Sequence, residues 1–109
     1  MLRRIVKHAE YQSFLNAVRS CRLPHFFVPV LAEEDDGFAF GITTMSKIGK
    51  AVRRNRLKRR LKAWFHNNQD ILPRGLKINL IAKQGATDLE WAEVCREMSE
   101  LITLLKNEN

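Results

Sequence analysis

The chain has 109 residues, 45% hydrophobic and 28% charged, a balance that predicts a folded core and argues against disorder. With 19 Lys and Arg against 12 Asp and Glu the net charge is +7, so the expected partners are polyanions, either nucleic acid or an anionic surface. Cys21 and Cys95 form no CxxC pair and His8, His25 and His66 stand at no metal-ligand spacing near them, while no apolar run reaches membrane-spanning length. A zinc site, a disulfide scaffold, a signal peptide and a transmembrane helix are therefore not expected, and the natural compartment is the cytoplasm.

From Glu10 to Arg19, Tyr11, Phe14, Leu15 and Val18 recur at spacings of three and four, which predicts a short amphipathic helix. Pro24 ends that pattern. His25 to Ala32 reads as a strand, placed at a sheet edge because Pro29 lacks a ladder donor. The polar run Glu33 to Gly37 predicts a turn closing a hairpin with Phe38 to Met45, where β-formers alternate with period two. Between Gly49 and Asn67 the period becomes helical, with Leu57, Leu61, Trp64 and Phe65 on one stripe. Pro73 and Gly75 precede a further strand from Leu76 to Ile81. Thr87 and Glu90 fit a capping box for a last helix whose core stripe is Trp91, Val94, Cys95, Met98, Leu101, Ile102 and Leu105. The expectation is one α+β domain over residues 1–109: helix, hairpin strands, basic helix, strand, helix.

The middle helix carries the chemical signal. From Lys50 to Lys62 eight of thirteen residues are basic and none is acidic: Lys50, Arg53, Arg54, Arg56, Lys58, Arg59, Arg60 and Lys62. Like charges four residues apart cost a few tenths of a kcal/mol each unless an anion lies over them. At 100° per residue Asn55, Arg56, Arg59 and Lys62 fall opposite the apolar stripe, so one face is buried and one is offered to solvent. Arginine suits phosphate because its planar guanidinium donates through two groups at once, and Asn55 adds a donor and an acceptor suited to sugar hydroxyls. Five phosphate contacts would make affinity fall by roughly two to three orders of magnitude between 50 and 200 mM salt.

Gly49-Lys50-Ala51-Val52 followed by Arg54-Asn55-Arg56-Leu57-Lys58-Arg59, after a Gly41 to Lys47 segment of the type Gly-x-Thr-x-x-x-Lys, resembles the bacterial ribonuclease P protein family. The resemblance spans nearly the whole chain. It implies a two-layer α-β sandwich similar to the second domain of ribosomal protein S five, with a left-handed crossover at the basic helix. It also implies a protein subunit that assists a catalytic RNA in removing the 5′ leader of precursor tRNA, with magnesium held mainly by the RNA, no catalytic residue or cofactor on the protein, and no obligate protein partner or membrane. Lys50, Arg53, Arg54, Asn55, Arg56, Lys58, Arg59, Arg60 and Lys62 would then face RNA, and Tyr11, Phe14, Thr43, Met45 and Lys47 are candidates for a cleft holding the single-stranded leader. The family's metal-associated loop falls at Glu33 to Asp36, read here as a solvated turn with no metal assigned. One departure is Met45-Ser46-Lys47-Ile48-Gly49, which has one lysine fewer than relatives carry before the Ile-Gly step. Another RNA-binding module is the nearest rival; a DNA-binding helix-turn-helix lacks its first helix, and a stand-alone nuclease lacks a catalytic cluster.

Overall fold

The computed structural model describes residues 2–107. Among these, five strands form one sheet in the order β1-β4-β5-β3-β2: β1 Leu2–Arg4, β2 Arg19–Arg22, β3 Phe26–Ala32, β4 Phe38–Thr43 and β5 Leu76–Ala82. β4 runs parallel to both β1 and β5, whereas β3 is antiparallel to β5 and to β2. The connection from β4 to β5 is α2, Ala51–Asn67, and the chain ends in α3, Trp91–Asn107. Both pack on one sheet face, while a short α1, His8–Ser13, covers part of the other.

Alternation along β4 explains the two layers. Phe38 and Phe40 point toward α2, where the Phe65 ring stacks on both, with centroids 5.9 and 4.6 Å away, and Trp64 meets Phe65 edge-on at 5.2 Å. Leu57, Leu61, Trp64 and Phe65 are all buried, as their spacing predicts, and each contributes about 1.5–3 kcal/mol by leaving water. The helix stops where Asn68 leaves helical geometry and its side-chain amide donates to the Trp64 carbonyl at 2.7 Å. On the opposite face Ala39 joins Ile5 and Phe14 in a small second core, with Tyr11 and Leu31 against it.

Several expectations are corrected. β3 and β4 form no hairpin, because β5 lies between them: Glu33 N–H donates to Gly75 O and Gly75 N–H to Gly37 O, so the acidic turn bridges over the incoming strand. Pro29 consequently sits in an inner strand, tolerated because the β3–β5 register skips Val28 and Pro29. The order opens with a strand rather than a helix, and β2 occupies residues expected to end the first helix and turn. That helix stops at Ser13 and tightens into a 3-10 turn, Phe14–Asn16, which buries Phe14 and leaves Leu15 and Val18 exposed. Thr87 does not cap α3: its hydroxyl donates to Ile48 O, and the reach-back is made three residues later, where the Glu93 carboxylate accepts from Glu90 N–H at 2.9 Å. Trp91 is 42% exposed, while Glu97 takes a buried place and binds His25 through both the backbone N–H and the ring Nδ1.

Candidate nucleic-acid interface

α2 begins against its own interests. Lys50 at the N-cap makes no side-chain cap, the first turn contains no acid, and Arg53 and Arg54 lie near the positive end of the helix dipole. Local bracing offsets this. Arg54 Nε donates to Gly49 O at 3.0 Å, and three arginines on one flank reach the 86–89 turn: Arg53 pairs with Asp88 at 2.6 Å, Arg56 donates to Thr87 O at 3.1 Å and Arg60 to Leu89 O at 2.6 Å. Thr87 in turn packs where a β-carbon on Gly49 would stand, 3.0 Å from its hydroxyl oxygen, so a larger residue there would have to push the Thr87 side chain aside by a few tenths of an ångström.

The cationic face is thus divided. Asn55, Arg59 and Lys50 are exposed, and none of their side chains makes a hydrogen bond or ion pair among the described residues. Arg56, expected with them on the outward side, is half-buried against the 86–89 turn. Lys62 is half-buried on the opposite flank, and with Lys58 it borders a recess shared with Arg4 and Tyr11. Burial, and after it the charges of Arg4, Lys58 and Arg59, lower the Lys62 pKa below the usual ammonium value.

A cleft of about 300 Å³ opens on the other sheet face. Its lining includes Tyr11 and Phe14 from the α1 segment and Phe27, Pro29, Asn79 and Ile81 from β3 and β5. Arg22 lies over the Phe27 ring, 5.2 Å from its centroid, and the exposed Leu15 stands at the rim. Of the five cleft candidates, Tyr11 and Phe14 do line it, but Phe14 is mostly committed to the small core. Thr43 donates to Asn79 Oδ1 at 3.0 Å and so fixes a lining residue. Met45 and Lys47 do not share its face, because β4 ends at Thr43 and both lie in the link to α2. Sequence reasoning missed Phe27, Asn79 and Ile81, although strand alternation places Phe27 with Pro29 and Asn79 with Ile81 on common faces.

Tyr11 joins the two regions. Its hydroxyl accepts from Ile42 N–H at 3.1 Å and lies 3.2 Å from Ile5 O, satisfying the edge of β4 just where β1 ends. The ring passes over Gly41, where a β-carbon would come within 2.6 Å of it. Nearby, Glu33 of the acidic turn accepts from Arg3 at 2.8 Å, Arg3 also binds Glu10 at 2.6 Å, and Asp35 accepts from Gly37 N–H. The Arg3 contact holds the Glu10 carboxyl down to about 2.

A rigid α+β scaffold with an acid-free cationic helix on one side and an aromatic-lined cleft on the other defines a small basic protein of the RNA-binding class. The ribonuclease P family matches residues 2–106, and the chain belongs to that family. It is 34% identical over 100 residues to the ribonuclease P protein component of Syntrophus aciditrophicus, covering 92% of this chain and 84% of that protein. The Enterococcus faecalis protein component is 32% identical over 104 residues, 94% of this chain and 88% of that one. The solved structure of the Staphylococcus aureus RNase P protein superposes with a TM-score of 0.84 at 28% identity, covering 97% of both chains. The Thermotoga maritima RNase P protein gives the same TM-score at 24% identity and shares the fold.

Proposed function

We propose that this chain binds the catalytic RNA of ribonuclease P through α2 and the leader of precursor tRNA through the cleft, assisting the RNA in hydrolysing the phosphodiester at the tRNA 5′ end. The observation that carries the reading is the acid-free run of eight cations in thirteen residues, set on a helix whose apolar stripe is buried. Lys50, Asn55 and Arg59 meet RNA directly, while Arg53, Arg56 and Arg60 present guanidinium groups already oriented by the 86–89 turn. Preorganised donors lose less freedom on binding than free side chains do.

The cleft suits a single strand because its lining combines the aromatic Tyr11, Phe14 and Phe27 with the polar Asn79, Arg22 lies over the Phe27 ring, and base stacking tolerates any sequence. Phe27→Ala is expected to weaken leader binding by about 1–3 kcal/mol, read as the affinity difference between precursor tRNAs with and without a leader. We assign the magnesium chemistry to the RNA: Glu33 is engaged by Arg3 and Asp35 by Gly37 N–H, and among the described residues no three His, Cys, Asp or Glu side chains converge. On this reading the protein works where its RNA partner does; among the described residues no helix is long and apolar enough to cross a membrane.

The deciding experiment is cleavage of precursor tRNA at low magnesium by a bacterial ribonuclease P RNA, with and without this protein, beside the protein alone. Rescue only by the pair is the expected result. Tight binding to generic duplex RNA without rescue would replace the reading with that of a general RNA-binding module.

A further inference from the structure

Two adjacent arginines of β1 meet opposite fates. Arg3, in register with Ala39, points to the α1 face, where Glu10 and Glu33 bind its guanidinium. Arg4, in register with Phe40, points to the α2 side, is exposed, and its side chain makes no hydrogen bond or ion pair among the described residues. It lines a recess of about 160 Å³ with Lys58, Lys62, Tyr11, Ile42 and Val6, and also borders the neighbouring hollow beside Lys62 and His66. Among the described residues no carboxylate lines either space.

Three cations around one small recess repel one another, and nothing lining it offsets the repulsion. Lys62 is half-buried on a rigid helix, which restricts its withdrawal into solvent. Tyr11 has its hydroxyl committed to the backbone, so it offers the recess ring surface beside the exposed apolar Val6. Charge for one phosphate beside surface for a sugar or base is the pattern of a nucleic-acid backbone contact.

We propose that Arg4, with Lys58 and Lys62, forms a notch for one RNA phosphodiester, making the strand edge an RNA contact in addition to the basic helix. This rests on the RNA-binding reading above. Because Tyr11 lines both the notch and the cleft, the phosphodiester can come from the leader or from the catalytic RNA, and the test separates the two sources.

The full chain and its Arg4→Ala and Arg4→Lys variants are compared in two arms: affinity for ribonuclease P RNA as a function of salt, and affinity of the reconstituted holoenzyme for precursor tRNA with and without a leader. Arg4→Ala is expected to fold normally by circular dichroism, to lose about three- to tenfold in affinity in one arm, and to lower the salt slope by about one. Arg4→Lys retains most of the affinity. Loss in the first arm assigns the phosphate to the catalytic RNA; loss confined to leader-bearing substrate assigns it to the leader. Unchanged affinity and slope in both arms, with Arg59→Ala still impaired, overturns the notch and leaves the RNA-binding reading standing. If the unsubstituted protein binds no ribonuclease P RNA, both fail together.

Discussion

Tyr11 shows how one side chain serves fold and site at once. Its hydroxyl takes the place of a strand partner for Ile42 N–H, so Tyr11→Phe leaves that amide unpaired and should cost about 1–2 kcal/mol in urea unfolding. Gly41→Ala places a methyl 2.6 Å from the ring and should destabilise by about 1–3 kcal/mol. Glu10 gives a pH signature. Its carboxyl is held to about 2 in the folded protein against an ordinary 4.5, so in that window the unfolded chain binds the additional proton. The stability from the Arg3 contact is complete above about 4.5 and is lost as pH falls through about 2. Urea midpoints measured across that window should fall less steeply for Glu10→Gln than for the unsubstituted protein; equal slopes would remove Glu10 as the cause.

Within α2, the arginines separate into those that brace and those that are free. Arg59→Ala should weaken RNA association about three- to tenfold with stability within about 0.5 kcal/mol of the parent. Arg56→Ala and Arg60→Ala should weaken RNA association and also lower stability by about 0.5–1.5 kcal/mol, because each releases a carbonyl of the 86–89 turn. RNA titration alongside thermal unfolding distinguishes the two classes. The same contrast explains what was legible in advance. The stripes of α2 and most of α3, and the alternation of β4 and β5, follow local periodicity and could be read directly. β1 and β2 could not, because Leu2-Arg3-Arg4 and Arg19-Ser20-Cys21-Arg22 are too short and too polar to signal a strand. The basic helix was visible as a charge run, but its division into flanks depends on Thr87, Asp88 and Leu89, some thirty residues away. The cleft floor likewise joins Phe27 to Asn79 and Ile81 through strand pairing that no local pattern encodes.

For the whole molecule, a net charge of +7 concentrated on one helix makes association with RNA strongly dependent on ionic strength. If five of its cations meet phosphates, affinity should drop roughly two to three orders of magnitude between 50 and 200 mM salt, and a flat response would exclude an electrostatic interface. The placement of β5 between β3 and β4 bears on how the molecule is made. During synthesis β3 and β4 emerge first and are not mutual partners, so the sheet cannot close until residues 76–82 have left the ribosome. The cationic helix is therefore produced before the strand that completes its platform. A fragment ending at residue 75 should lack cooperative unfolding and native circular dichroism even though it contains every residue of α2, which would make the RNA-facing surface a property of the finished chain and not of its basic segment.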